Sequence, residues 1–416
     1  MNTRFLIFGG ILVAFMFLLD FFLARCIRTC QFQIGEVVLN RLMILHWTIP
    51  VVMSLFVLFR FVFFPPQERL QFYSSLFSFN GVFMILYMPK LIIAVFFGLE
   101  SLIRGIAFLL SKLFSTHISF LQNFHPISII GLILGLLAFI TIAYGVLWGR
   151  FHYKITPQTI YHSAFPKSLN GLKVVQISDL HLGSFIGHTR QIERMVELVN
   201  EQEPDIIFFS GDLVNNFAEE VKDFLPALRR LHAPSGKYAV MGNHDYGGYY
   251  NWKSKEDKEK NERAIRETYT RIGFQLLNNE HDLIENGRDS LAVIGVENWG
   301  KPPFPQYGDL KKAMEGLEDH KFKILLSHDP SHWPRKVKDQ SDIHLTLSGH
   351  THAMQMGIIL DGWQWSPAKY NYRYWGGMYR AGNQLLYVNK GTGYIGFPGR
   401  IGVRPEITVF EFFNKK

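Results

Sequence analysis

Five short blocks in this 416-residue chain gather side chains that bind cations. They are Asp179-Leu180-His181, Gly211-Asp212, Gly242-Asn243-His244-Asp245, Ser327-His328-Asp329 and Gly349-His350-Thr351-His352. Oxygen and imidazole donors together suit Mn, Fe, Zn or Ni in an open site. Asp179 and His181 stand two positions apart, so an extended backbone turns both to one side. His350 and His352 repeat that spacing. A lone aspartate can bridge two ions with its two oxygens, and Asp212 is the natural candidate. Glycines at 211, 242 and 349 let the backbone turn tightly beside such ions. Each block alone has a bland reading: Asp-x-His and Gly-Asp are common in turns and caps. The weight lies in all five occurring, each after an apolar run.

Those runs are the elements that must position the ligands. Leu172–Ile177, Ile206–Ser210, Lys237–Met241, Leu291–Val296 and Ile324–Ser327 read as strands. Amphipathic stretches at Thr189–Glu201, Val221–Leu231 and Lys253–Ile272 read as helices between them, and Leu385–Val388 and Ile407–Phe412 make the end β-rich. Strands alternating with helices predict an α/β domain. In open α/β sheets, groups at the carboxyl ends of strands converge on one crevice. That domain is expected over 151–416.

Residues 1–150 differ in kind. The chain as a whole is 48% hydrophobic and 19% charged, and the apolar share is concentrated here. Four runs approach the ~20 residues that span a bilayer: Phe5–Leu23, Leu42–Phe64 (ending at Pro65-Pro66), Val82–Leu99 and Ile127–Trp148. Glu100–Phe114 reads as an interfacial continuation of the third. A cleaved leader at the first run is disfavoured, because Arg25 precedes Cys26 where a small residue is needed. The two cysteines, Cys26 and Cys30, both lie in this half, so no disulfide framework supports the rest. The net charge of +8 suits phosphate or an anionic membrane surface. No Lys/Arg block favours nucleic acid.

The five blocks resemble those of the calcineurin-like metallophosphoesterase superfamily, over roughly 171–412. Arg373-Tyr374-Trp375-Gly376-Gly377, Val388-Asn389-Lys390-Gly391-Thr392-Gly393 and Pro405-Glu406-Ile407 look like the membrane-associated YkuE/YaeI-type branch. The resemblance implies a β-sandwich flanked by helices, with metals at one edge. It implies that Asp179, His181 and His352 bind one ion, that Asn243, His328 and His350 bind a second, and that Asp212 bridges them. His244 would face the substrate and assist the leaving oxygen, with Asp245 either orienting it or serving as a turn carboxylate. The expected partners are a phosphate-ester substrate, lipid-linked because of the anchor, and membrane lipids. With four spans both termini share one side, here expected to be the cytoplasmic face of a bacterial inner membrane. A membrane sensor or scaffold with a phosphatase-like domain is the alternative. A transporter is a third reading, with Asp20, Lys90 and Glu100 as its interior polar candidates. His188, His332 and His344 read as surface or packing residues. Tyr370, Tyr372, Tyr374 and Trp375 are either a substrate wall or a packed edge, Arg400 is either a phosphate ligand or an ion-pair partner, and Tyr246–Trp252 is expected at the mouth of the site.

Overall fold

The computed structural model describes residues 3–29, 35–63, 69–114, 125–287, 289–320 and 322–415. The chain divides into one unit of Met1–Tyr144 and another of Gly145–Lys416. This boundary falls six residues before the expected one at 150, inside the last turns of a helix.

The first unit is helical: α1 (Thr3–Thr29), α2 (Glu36–Phe63), α3 (Arg69–Phe114) and most of α4 (Pro126–Leu147). All four are long and apolar enough to cross a membrane. Pro50 and Pro89 lie inside α2 and α3 without ending them, as membrane helices tolerate. The stretch 100–114 is not separate from the third span; α3 runs unbroken through it. At 1.5 Å per residue α3 is about 70 Å long, well over the ~30 Å hydrocarbon core. The polar interior residues are paired. Asp20 accepts hydrogen bonds from Tyr87 Oη (3.0 Å) and Lys90 Nζ (2.6 Å), and Glu100 accepts one from Arg104 Nη2 (2.7 Å). The end expected for the second span, Phe64 with Pro65-Pro66, lies outside the described residues, as does Cys30.

The second unit runs β1 (Lys154–Tyr161), β2 (Leu172–Ile177), α5 (Thr189–Asn200), β3 (Ile206–Phe209), α6 (Leu225–Leu228), β4 (Lys237–Ala239), α7 (Lys255–Ile272), β5 (Gln275–Leu276), β6 (Glu280–Asn286), β7 (Asp289–Gly295), α8 (Leu310–Ala313), β8 (Lys323–Leu326), β9 (Leu345–Ser348), β10 (Ile358–Leu360), β11 (Trp363–Trp365), β12 (Gly377–Ala381), β13 (Gln384–Val388) and β14 (Glu406–Phe413). Two six-stranded mixed sheets form, ordered β1-β14-β2-β3-β4-β5 and β12-β13-β9-β8-β7-β6, with β10-β11 a separate hairpin. They face one another as the expected sandwich.

The central strands are apolar on both faces because both faces are covered. In β2, Leu172 and Val174 join the core between the sheets, while Val175 and Ile177 join the core beneath the helices. α5 buries Ile192, Met195, Val196 and Val199 there, a spacing that keeps one helical face inward. Each such side chain stabilises the packing by about 1.5–3 kcal/mol, and Val196→Asp would replace that with a buried charge. α7 is stopped at both ends: Ser254 Oγ accepts from Asp257 N, and Gly273 adopts the left-handed conformation. The helix expected over 221–231 is instead two short turns, Ala218–Val221 and Leu225–Leu228. Pro226 has no N–H to bond back to residue 222, so a continuous helix would be broken there.

Candidate metal centre

The strands of both sheets deliver the five blocks to one edge of the sandwich. β2, β3 and β4 run parallel in one sheet, and β8 and β9 run parallel in the other. Their following loops are tied together by backbone hydrogen bonds: Asp179 N–H to Gly211 O (2.9 Å), His181 N–H to Asp212 O (3.1 Å) and Gly349 N–H to His328 O (2.9 Å). Between the sheets, Gln176 Nε2 donates to both Ser210 Oγ and Ser348 O, which locks the two edges in register.

The loops hold unusual backbone. Asp179, His181, Asp212, His350 and His352 all have φ between 48° and 69°, a left-handed region that costs non-glycine residues of order 1 kcal/mol or more. Gly349 and Gly242 are glycines for another reason. A Cβ on Gly349 would lie 2.2 Å from Asp179 Oδ2, and one on Gly242 would lie 2.1 Å from Asp212 Oδ1. The carboxylates occupy the space that a side chain would need.

Side chains then converge in three overlapping groups among the described residues, one of which, His181, Asp212 and His244, links the other two. Asp179, His181 and His352 bring one donor atom each within 4.8 Å of one another, as do Asp212, His328 and His350. His181 Nε2 and His352 Nε2 are 3.0 Å apart, and His352 Nε2 is 3.2 Å from Asp179 Oδ1. Asp212 Oδ2 stands between the groups, 3.5 Å from His181 Nε2 and 3.2 Å from His328 Nε2. Its other oxygen, Oδ1, accepts from His244 N at 2.8 Å. The nearest approach to His181 and to His328 is made by the same oxygen, Oδ2.

Orphaned buried atoms test whether these residues fit metals. Asn243 donates from Nδ2 to Tyr249 Oη (2.7 Å), leaving Oδ1 buried without a hydrogen-bond partner among the described residues. His328 Nδ1 donates to Ser210 O at 2.7 Å, which leaves Nε2 facing Asp212 Oδ2 at 3.2 Å. Asn243 Oδ1 is thus an acceptor with no donor, and a divalent cation would take the place of the proton that His328 Nε2 holds toward Asp212. The electrostatics agree. Burial would raise the carboxyl of Asp212, yet His328, His244 and His181 hold it well below the usual range. Burial likewise opposes Asp179, which His352 holds low. In the other direction the Asp212 carboxylate, against burial, pushes His328 up to about 10. Burial depresses His181, His244 and His350, keeping them neutral and able to ligate. Carboxylates that draw protons onto imidazole would equally draw divalent cations.

Six of the seven expected ligands thus bring donor atoms together with His244, and Asn243 lines the same cleft. His350 Nε2 is 2.7 Å from Tyr372 Oη and 3.5 Å from Asp329 Oδ2. Such contacts orient a ligating imidazole; their sequence signal was faint, since Asp329 merely follows His328. His244 Nδ1 bonds Asn215 O (2.8 Å), and Tyr249 stacks on the ring at 4.3 Å between centroids. Of the 246–252 loop, Tyr249 touches Asn243 and His244, while the residues lining the cleft come from other segments.

Of the two roles open to Asp245, the contacts favour the turn carboxylate. Its carboxylate is fully buried and accepts from the backbone N–H groups of Asp212, Leu213, Val214 and Gly242 and from Tyr269 Oη. It shapes the loops, whereas Asn215 holds His244. Arg400 has no ion pair among the described residues, and its donors are spent on backbone carbonyls. It is buried, donates to the carbonyls of Lys390, Gly391 and Gly393, and touches His352 Nδ1 at 3.3 Å. Of the aromatic cluster only Tyr372 lines the cleft; Tyr374 packs on Trp333 and Trp375 joins a small apolar cluster. His332 is buried against Ser327 Oγ, a packing role. The cleft is about 220 Å³ and includes Phe304, Met354 and Ile395 beside the polar groups. A larger groove near 306–318 and 336–342 contains none of the centre's residues.

A family model described as "Calcineurin-like phosphoesterase" matches residues 172–354, and one described as "Probable Calcineurin-like phosphoesterase, transmembrane domain" matches 3–150. The chain is 33% identical over 260 residues to the uncharacterized metallophosphoesterase YkuE of Bacillus subtilis (strain 168), covering 61% of this chain and 84% of that one. It is 30% identical over 281 residues to an uncharacterized metallophosphoesterase of Helicobacter pylori (strain J99), covering 65% and 68%. It is 32% identical over 263 residues to a transmembrane protein with metallophosphoesterase domain of Danio rerio, covering 61% of this chain but 56% of that longer protein. The chain is an integral membrane protein that belongs to the calcineurin-like phosphoesterase family, with a four-helix transmembrane domain ahead of its α/β metallophosphoesterase domain.

Proposed function

We propose that this chain is a membrane-anchored hydrolase that uses two divalent ions (Mn, Fe, Zn or Ni) to cleave a phosphodiester, pyrophosphate or phosphomonoester, with a lipid-linked substrate at the cytoplasmic membrane face. The observation that carries this reading is Asp212 Oδ2, which faces both donor groups at 3.2–3.5 Å. Asp179, His181 and His352 would hold one ion. Asn243 through Oδ1, His328 through Nε2 and His350 would hold the other, with Asp212 shared. Such ions supply positive charge to phosphoryl oxygens and lower the pKa of water.

The chain's own groups do the rest. With Nδ1 held by Asn215 O, His244 turns Nε2 to the cleft. A bound phosphate's charge would draw a proton onto that nitrogen, ready for the leaving oxygen, a contribution of about 10²–10⁴-fold. Tyr249 fixes the ring plane. Tyr372 steadies His350, and Phe304 packs edge-on against it at 4.7 Å. Full-length protein, stripped with chelator and reloaded with each metal, should bind two ions per chain and hydrolyse at least one of a phosphomonoester, a phosphodiester and a lipid pyrophosphate. Undiminished turnover by Asp212→Ala in chelator would refute the reading.

A further inference from the structure

The β10–β11 hairpin reverses the side-chain pattern of a water-exposed ribbon. Ile358 pairs with Trp365 and Leu360 with Trp363, so these four project from one face and Ile359 and Gln364 from the other. The second face is attached to the protein: Ile359 packs on the cluster of Ala353, Ala368, Trp375 and Val403, and Gln364 Nε2 donates to Gly376 O at 3.0 Å. The first face is wholly apolar, yet Leu360 is 62% and Trp363 54% exposed. A one-sided sheet normally puts its polar residues outward, and contiguous outward apolar residues mark a contact surface.

Position decides what covers that surface. Gly357 N–H donates to Ile401 O (2.9 Å), Ile401 N–H donates to Gln355 O (2.9 Å), and Arg400 N–H donates to Gly145 O (3.1 Å) in the last turn of α4. A Cβ on Gly145 would lie 2.8 Å from Arg400 O, so that turn is in close contact with the 400–401 segment. The base of the hairpin is thus bonded to the segment that grips the membrane helix where it ends. Exposed Trp148 follows that helix, and exposed Lys369 and Tyr370 follow β11, residue types that settle at the headgroup level. The apolar surface also continues into the centre: exposed Met354 lies between His352 and the hairpin and lines the cleft.

We propose that the hairpin dips its Ile358, Leu360 and Trp363 face into the headgroup–acyl boundary of the leaflet that α4 leaves, so that the cleft opens on that lipid layer and takes a phosphoester carried by a lipid. The substrate half of this statement rests on the phosphoesterase reading above; the immersion half does not.

The two halves are tested separately in full-length chain. For immersion, Leu360→Cys in a Cys26→Ser, Cys30→Ser background is labelled with an environment-sensitive fluorophore and reconstituted into phosphatidylcholine–phosphatidylglycerol vesicles carrying spin-labelled acyl chains. The label is expected to be quenched by the spin-labelled lipid and shielded from aqueous iodide, and a label at Glu256→Cys on α7 to show the reverse. Iodide quenching equal at both sites overturns immersion. So does shielding that appears only as protein density rises, which would mean a second copy covers the face. For the substrate, a Leu360→Ser, Trp363→Ser variant is expected to lose at least about tenfold in turnover of a lipid-borne phosphodiester in vesicles, with turnover of water-soluble bis(4-nitrophenyl) phosphate unchanged. Equal loss on both, or no loss on the lipid, overturns the lipid assignment. Absence of hydrolysis of these diesters, of a phosphomonoester and of a lipid pyrophosphate by the unmodified chain overturns the phosphoesterase reading and leaves the immersion result standing.

Discussion

Asp245→Asn separates two roles that adjacency to His244 leaves open. In the structure Asp245 Oδ1 accepts from Leu213 N and Val214 N, while Oδ2 accepts from Asp212 N, Gly242 N and Tyr269 Oη. An asparagine has one acceptor oxygen, so whichever way its amide turns, at least two buried backbone N–H groups meet an NH₂ in place of an oxygen. Each unsatisfied buried donor costs about 1–3 kcal/mol, so the variant should lose about 3–4 kcal/mol. For a domain of this size that is a fall of about 10 °C in Tm. The freed loop is the one that holds Asp212 at φ 61°, so metal should be lost along with stability. Thermal unfolding followed by near-UV circular dichroism, with metal content by plasma mass spectrometry on the same samples, reads both quantities. A variant within 2 °C of the parent that keeps two ions per chain and loses only kcat would refute this reasoning and restore Asp245 as the partner that orients His244.

His244→Ala should keep both ions and lower kcat by about 10²–10⁴-fold; metal loss in proportion to activity would make it a ligand instead. Tyr372→Phe removes the hydroxyl 2.7 Å from His350 Nε2, and a lost outer contact of this kind typically weakens metal affinity about 10–100-fold; competition with a fluorescent chelator measures it, and unchanged affinity counts against the contact. Burial lowers His332 to about 4. A histidine depressed in the folded state stabilises it above the unfolded pKa of ~6.5, and that stability is lost as pH falls toward 4, here about 3 kcal/mol. In chelator-treated protein His332→Gln should therefore flatten the decline in Tm between pH 6.5 and 4; parallel curves would contradict the assignment.

The site was legible in the sequence to an unusual degree, for a physical reason. Strands covered on both faces are continuous apolar runs, and the polar blocks that end them stand out against that background. Edge strands give no such contrast. β1 (Lys154–Tyr161) buries only Ile160 and β6 (Glu280–Asn286) only Ile284, so neither was anticipated. Adjacency to His244 leaves the two roles of Asp245 open in the sequence, and the structure favours the turn carboxylate. It lies beside His244 in a single tight turn, where successive side chains point in divergent directions. Arg400 was misjudged because a cation suggested an anion, whereas its five-donor fork is used on backbone carbonyls. In the membrane half, Pro89-Lys90 and Glu100 interrupted the apolar pattern without interrupting α3, since Asp20 and Arg104 neutralise the charges.

The sharing of Asp212 between two donor groups is most directly tested by electron paramagnetic resonance of the Mn²⁺-reloaded, full-length chain. The predicted spectrum is that of an exchange-coupled Mn²⁺ pair at two ions per chain, converting to uncoupled signal or metal-free protein in Asp212→Ala. A saturated chain showing one isolated Mn²⁺, or an Asp212→Ala variant that keeps the coupled spectrum, would contradict it.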